Sequence, residues 1–226
     1  MTRWFDPADI PVMPDLRYES ALWASGLARV AGLDEAGRGA WAGPVSAGAV
    51  ILPSLPEITK QLNRVRDSKQ MSPAERAFWA VEIRVRAFAW GVGMASNEEI
   101  DTLGIVPATR LAMRRAIQSI STFDPITHLC SAPQHLLIDA LRLPDIDLPQ
   151  TSLIKGDARS LSIAAASVLA KTARDALMVE FGQEYPRYGF ARHKGYGTAA
   201  HQTALEQAGP CPIHRFSFAP LKQIKR

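Results

Sequence analysis

Gly32-Leu33-Asp34-Glu35-Ala36-Gly37-Arg38-Gly39 is the stretch on which the fold turns. The apolar run from Val30 to Leu33 reads as a β-strand, and two adjacent carboxylates stand at its end. Acids at the end of a buried strand are costly unless something cationic meets them. The Gly-Arg-Gly turn behind them offers backbone N–H groups and a fixed guanidinium fork, both suited to a phosphate. The combination points to a metal-dependent site acting on a phosphodiester.

Outward from that strand, Val45 to Leu52 reads as a second strand, reached through Gly43-Pro44. Ser72-Pro73-Ala74-Glu75 is a helix start, with an N-cap serine, proline at the first helical position and glutamate placed for a capping box. That helix is expected to reach about Arg86, and Phe88 to Ala95 returns as a strand. Ser96 opens another capped segment, and Pro107 to Ile120 has helical apolar spacing. His135 to Asp139 is a short apolar strand ending in a carboxylate, and Ser152 to Lys155 reads as one more strand. An alanine-rich helix follows from Ser160 to about Phe181, and Thr198 to Ala208 is a last capped helix. Arg17 to Leu27 reads as a short helix, whereas residues 1–16, with three prolines, read as an extended arm. Mixed strands and helices in one chain give an α/β architecture.

The 226 residues are 47% hydrophobic and 21% charged, an ordinary globular balance. Cys130 and Cys211 give neither a disulfide framework nor zinc-ligand spacing, so a reducing compartment is the default. No apolar run approaches membrane-spanning length and the first residues have no signal-like apolar core, so a cytoplasmic protein without membrane contact is expected. The net charge of +4 is uneven: Arg187 to Arg226 carries +6, leaving −2 for the rest. A basic C-terminal region facing acids elsewhere suits a bound polyanion, although charge alone favours a plain solvated tail.

Four acids stand out by position. Asp34 and Glu35 end the first strand, Asp139 ends Leu136-Leu137-Ile138, and Asp157 follows Lys155-Gly156 before the long helix. Ligand sites gather at strand ends in α/β sheets. Converging carboxylates must bind cations or raise their pKa values, and all-oxygen ligation favours Mg²⁺ or Mn²⁺ over zinc. Taken singly, each acid has a plainer reading as a cap, a turn or a solvated surface group. Gly37-Arg38-Gly39-Ala40-Trp41-Ala42 also fits the G-x-G-x-x-A form of a dinucleotide-binding turn. The two acids before it would repel a pyrophosphate, and Pro44 with a strand follows where a helix should open. His193, His201 and His214 have no metal-ligand spacing and read as packed or capping residues. Asp175 reads as a helix-surface ion pair with Lys171 or Arg174.

These residues resemble ribonuclease HII. The hexapeptide Asp34 to Gly39 is similar to that family's signature. So are Ala42-Gly43-Pro44-Val45, Asp67-Ser68-Lys69, Leu137-Ile138-Asp139, Lys155-Gly156-Asp157, Ala164-Ala165-Ala166-Ser167 and His193-Lys194-Gly195-Tyr196-Gly197-Thr198. They occur in family order over roughly residues 17–218.

The resemblance implies a ribonuclease H-like α/β fold: a mixed central β-sheet flanked by helices, with a helical C-terminal part that binds substrate, all in one catalytic domain over 17–226. It implies an endonuclease that hydrolyses the RNA strand of RNA–DNA hybrids. It also implies incision 5′ of single ribonucleotides in duplex DNA, leaving 3′-hydroxyl and 5′-phosphate ends. The family's acidic quartet falls on Asp34, Glu35, Asp139 and Asp157, implying two divalent ions, Mn²⁺ or Mg²⁺. Its ribonucleotide-holding turn falls on Gly37, Arg38 and Gly39, and its junction-stacking tyrosine on Tyr196. Lys69 and Lys155 match family lysines near the substrate backbone. A monomer is expected, with the C-terminus open to contact with a replication protein. Ala140 stands where the family has glycine, Ala158 replaces a serine, and Trp41 replaces a smaller residue. A Holliday-junction nuclease or transposase of the same fold would use acids similarly, without a use for Gly37-Arg38-Gly39 and Tyr196. A non-catalytic nucleic-acid module would have no use for the four acids.

Overall fold

The computed structural model describes residues 10–121 and 130–223. Residues 1–9 of the expected arm, and the last three residues of the basic C-terminal stretch, lie outside the described residues. Five strands, β1 (Val30–Ala36), β2 (Val45–Ile51), β3 (Ala89–Ala95), β4 (His135–Asp139) and β5 (Gln150–Leu153), form one sheet in the order β3-β2-β1-β4-β5. β1 pairs antiparallel with β2 and parallel with β4, and β4 pairs parallel with β5, so the sheet is mixed. The helices are α1 (Arg17–Ala24), α2 (Ile58–Gln61), α3 (Pro73–Arg86), α4 (Asn97–Leu103), α5 (Ile105–Ile120), α6 (Leu161–Glu184), α7 (Phe190–His193) and α8 (Ala199–Ala208).

Both faces of the sheet are covered. Ala31, Leu33, Ala47, Ala49 and Ile138 meet Ala112, Met113 and Ala116 of α5 on one face. Val50 and Leu52 meet Trp79 and Ile83 of α3, with Ala165 and Leu169 of α6, on the other. Alternation along β1 therefore places Gly32 and Asp34 on the α6 face. The helix comes so close that a Cβ on Gly32 would lie 2.2 Å from the Ser162 carbonyl carbon, and one on Gly48 would lie 2.2 Å from the Ala166 oxygen. The alanine run Ala164-Ala165-Ala166 is the matching surface. Small residues on both elements bring Ser167 of α6 alongside Asp34.

Most sequence expectations hold with shifted ends. Both serine caps form full capping boxes, Ser72 with Glu75 and Ser96 with Glu99. β1 runs on to Ala36, so the acids lie within its last turn of pleat and not beyond it. α5 starts at Ile105, because Pro107 falls in the first turn, where its missing N–H costs nothing. The last strand is Gln150–Leu153 and not Ser152–Lys155, because Lys155 has φ 52° and ends the extended run. α7 was not expected: it is a single turn anchored by the buried Phe190. Among the described residues no helix is long and apolar enough to cross a membrane.

Candidate active site

β1 and β4 run side by side, with Leu33 opposite Ile138, so Asp34 and Asp139 emerge together at the carboxyl ends of parallel strands. β5 ends beside Asp139, paired with Leu153, and the chain then turns through left-handed Lys155 into a short 3-10 turn carrying Asp157. The Gly156 N–H donates to Asp139 Oδ1 at 2.6 Å, fixing one acid's side chain to the other's turn. Ala140 sits at φ 49°, a conformation glycine would adopt freely, and its N–H donates to the Leu153 carbonyl at 3.0 Å. The alanine thus carries strain but leaves the turn after Asp139 intact.

The four acids share one electrostatic environment. Asp34 is 2% exposed, and burial followed by the charges of Glu35, Asp139 and Asp157 raises its pKa well above the usual carboxylate range. Burial likewise raises Glu35, opposed by Arg38, whose Nη1 donates to Glu35 Oε1 at 3.1 Å. Burial raises Asp139, opposed by the Gly156 hydrogen bond. Asp157 is pushed up to about 6, first by burial and then by Asp67 and Asp139. Asp34 Oδ1 accepts from the Glu35 N–H at 2.7 Å, but Asp34 Oδ2 and Glu35 Oε2 are buried with no hydrogen-bond partner. A buried acceptor of this kind costs about 1–3 kcal/mol unless a ligand satisfies it. The all-oxygen donor set and these two orphaned oxygens fit divalent cations. Among the described residues no three His, Cys, Asp or Glu side chains make a ready metal cage, so outside oxygens would have to complete any shell.

A cleft of about 310 Å³ opens beside the acids, lined by Glu35, the Gly37-Arg38-Gly39 turn, Ser68, Lys69, Lys171 and Tyr196. Gly37 has φ 91°, and a Cβ there would strike Arg174 Nε at 2.0 Å. A Cβ on Gly39 would meet nothing within 4 Å. Lys69 Nζ lies 3.9 Å from Asp157 Oδ2 on a side chain 74% exposed. The neighbouring acids, Asp67 first, raise its pKa against the effect of burial. Tyr196 lies half-buried at the cleft's far wall, its ring 5.6 Å from Lys171 Nζ and 5.5 Å from Arg174 Cζ. Trp41 packs its ring where a Cβ on Gly197 would go, filling space under the tyrosine loop. Lys155 is exposed and does not line this cleft; its left-handed backbone turns the chain toward Asp157.

The structure therefore brings together Asp34, Glu35, Asp139 and Asp157 with Gly37, Arg38, Gly39, Lys69 and Tyr196. It adds groups that the sequence reading does not place at the site. Asp67 caps the turn carrying Lys69, taking its N–H at 2.9 Å, and adds a fifth negative charge. Lys171 and Arg76 both bind Asp175, at 2.5 and 3.3 Å, and Arg76 also holds the Ser68 carbonyl at 3.0 Å. The Asp67-Ser68-Lys69 run was the signal for the first; the Lys171–Asp175 spacing was seen, but its facing Arg76 is 99 residues away. The histidines are packed as expected: His193 stacks on His201 at 4.5 Å, and His201 Nε2 meets His214 Nε2 at 3.0 Å. The Gly37–Ala42 run forms a turn and not a helix start, which removes the dinucleotide reading.

Residues 31–221 match the family model described as Ribonuclease HII. The ribonuclease HII of Dehalococcoides mccartyi is 48% identical over 214 residues, covering 94% of this chain and 96% of that one. That of Roseiflexus castenholzii is 50% identical over 212 residues, covering 92% and 89%. Among solved structures, the ribonuclease H2 of Pyrococcus horikoshii superposes with a TM-score of 0.65 at 23% identity, covering 86% of this chain and 95% of that one. Bst-RNase HIII, solved in complex with Mn²⁺, gives 0.67 at 21% identity, covering 90% and 72%. These superpositions confirm the ribonuclease H-like fold, and the sequence matches make the chain a member of the ribonuclease HII family, an endonuclease on the RNA of RNA–DNA hybrids.

Proposed function

We propose that this enzyme also incises 5′ of single ribonucleotides embedded in duplex DNA, leaving 3′-hydroxyl and 5′-phosphate ends. Asp34, Glu35, Asp139 and Asp157 would hold two divalent ions, Mn²⁺ or Mg²⁺. The observation that carries the reading is the pair of buried, partnerless oxygens, Asp34 Oδ2 and Glu35 Oε2, within four carboxylates whose pKa values are all raised. Divalent ions bound there supply an acidified water and charge stabilisation for a phosphodiester displacement.

The chain's own residues do the rest. The Gly156 N–H orients Asp139, and Arg38 holds Glu35 in the cleft wall while presenting positive charge to the strand. Nothing in the protein's own packing demands glycine at 39, which leaves its backbone open to a sugar. Backbone groups left open in this way suit the 2′-hydroxyl, the group that distinguishes RNA from DNA. Tyr196 offers a ring for stacking at the RNA–DNA junction, and Lys69 and Lys155 offer charge to the backbone. In this reading residues 17–226 act as one catalytic domain, monomeric and cytoplasmic, with the C-terminus free to contact a replication protein.

The test is a DNA duplex carrying one ribonucleotide, incubated with Mg²⁺ or Mn²⁺ and then with chelator. Metal-dependent nicking on the 5′ side of the ribonucleotide is expected. Tight binding without cleavage, or cleavage only of continuous RNA, would defeat the proposal.

A further inference from the structure

Arg174 and Arg215 are the largest fully buried side chains among the described residues, each 0% exposed. Every guanidinium nitrogen of both donates to a main-chain carbonyl. Arg174 reaches Pro44 O (Nε, 2.8 Å), Lys194 O (Nη1, 2.9 Å) and Ala42 O (Nη2, 3.0 Å). Arg215 reaches Gly43 O (Nε, 2.8 Å), Arg38 O (Nη1, 2.9 Å) and Pro44 O (Nη2, 3.0 Å). Packing alone does not call for this. Burying a cation costs several kcal/mol before its hydrogen bonds offset it, and an apolar side chain of the same volume fills a core as well. What a planar fork adds is a fixed geometry among several backbone segments at once.

The segments it joins are the two that flank the candidate substrate cleft. The turn 37–44 and the loop 193–197 are far apart in sequence. They meet where Trp41 N donates to Gly195 O at 2.8 Å. Gly195 has φ 79°, and a Cβ there would lie 2.5 Å from the Ala42 oxygen. Arg174 touches both sides, since its side chain occupies the space beside Gly37, and its Cζ lies 5.5 Å from the Tyr196 ring.

We propose that Arg174 is a positioning residue that sets the spacing between the Gly37-Arg38-Gly39 turn and the Tyr196 ring, with Arg215 bracing the turn. It thereby favours a ribonucleotide followed by deoxyribonucleotide over continuous RNA. This rests on the roles proposed above for that turn and that ring. Small displacements of positioning groups act steeply: about 1 Å can cost on the order of 10²-fold in rate.

The test compares wild type, Arg174→Met and Arg174→Lys. One readout is the ratio of kcat/KM on a single-ribonucleotide duplex to that on an all-RNA hybrid of equal length. The other is hydrogen exchange of the 37–44 and 193–198 segments. For the methionine variant the ratio is expected to fall about tenfold, mostly through KM, with partial recovery in the lysine variant. Exchange should quicken in those two segments while the β1–β2 amides keep their protection. An unchanged ratio and unchanged exchange in the folded methionine variant would overturn the proposal. If that variant does not fold, the lysine variant decides by the same two readouts. A wild type with no preference for the single ribonucleotide would likewise overturn the proposal; one that does not incise that duplex at all would instead sink the substrate reading, and the exchange data would still judge the clamp.

Discussion

Two clusters of buried charge lie beside one cleft, and they are satisfied in opposite ways. The negative one, built on Asp34, Glu35, Asp139 and Asp157, holds oxygens with no partner and carboxyls pushed toward protonation. The positive one, Arg174 and Arg215, has every nitrogen on a carbonyl. A charge cluster satisfied from within holds the chain together. One left unsatisfied is complete only with something from outside, and it burdens the fold until that arrives. The contrast separates the parts that hold shape from the parts that await ligand.

Asp34→Asn should break the contrast most sharply. Removing one charged ligand from a preorganised site is expected to lower hybrid cleavage on the order of 10³-fold or more. The same change should raise the melting temperature of the metal-free protein at a pH high enough to ionise the cluster, because it removes the most deeply buried acid, whose ionised form repels its neighbours. A relief of about 1–2 kcal/mol corresponds to several degrees in a chain of this size. Initial rates with Mg²⁺ or Mn²⁺ and calorimetry in chelator check the two halves. Near-normal turnover would remove Asp34 from the metal site.

Tyr196→Ala probes the other side of the cleft. Base–aromatic stacking is worth about 1–3 kcal/mol per base, so KM on a single-ribonucleotide duplex should rise about tenfold or more. The effect on a long hybrid should be smaller, since many backbone contacts share the binding there. Equal losses on both substrates would assign the ring to general packing.

Burial acts in opposite directions on an acid and on a base, so Asp157 in the cleft and His214 in the scaffold behind it predict opposite pH behaviour. Asp157 has its folded pKa raised from 3.8 to about 6, so the native state keeps a proton that the unfolded chain releases. Its stabilising contribution is present below pH 4 and is lost as pH rises through about 6. His214, beneath the tyrosine loop, is lowered from 6.5 to about 4, chiefly by burial. Its contribution is present above pH 6.5 and lost as pH falls through about 4. A raw pH–stability curve mixes the two. The difference between Asp157→Asn and wild type in chelator isolates the first: the variant should gain on wild type between pH 4 and 6, by a few degrees in melting temperature. Saturating Mg²⁺ should shrink the gap, because cations then replace the protons. A gap that is flat with pH would show that Asp157 carries no raised pKa.

How much of this was legible depends on how local each cause is. The serine caps at Ser72 and Ser96 lie within four residues of their helix starts, and both are legible in the sequence, Ser72 with its capping box. The acids at the ends of two apolar strands were readable as candidates, because a strand end is a position in the chain. Their convergence was not, since it depends on Leu33 pairing with Ile138 across 105 residues. Charge counting misled at the C-terminus. Arg215 was counted in a basic stretch read as a polyanion surface or a solvated tail, and it is neither, being buried against the turn after Asp34 and Glu35. The reading of Asp175 as a partner of Lys171 or Arg174 holds for Lys171; Arg76 is the second partner, and the Arg174 guanidinium goes to main-chain carbonyls. A buried arginine bonded only to carbonyls leaves no mark in composition or spacing, because its partners are backbone and carry no residue type.

Ala140 gives the smallest expected effect and the finest test of where the strain lies. At φ 49° an alanine costs about 1–2 kcal/mol relative to a right-handed conformation. Replacing it by glycine removes that cost but adds about 0.4–1 kcal/mol of unfolded-chain entropy. Ala140→Gly should therefore stabilise the protein by up to about 1.5 kcal/mol, or about 3–6 °C in melting temperature at most. The Ala140 N–H bond to the Leu153 carbonyl and the Gly156 N–H bond to Asp139 Oδ1 use no side-chain atom of residue 140 and survive the change. Activity should consequently stay within about twofold, since no group that meets the acids is altered. A large gain in rate with no gain in melting temperature would mean that the strained turn holds Asp139 away from its working position. A gain in stability alone places the strain in the scaffold, on the same side of the contrast as the arginines.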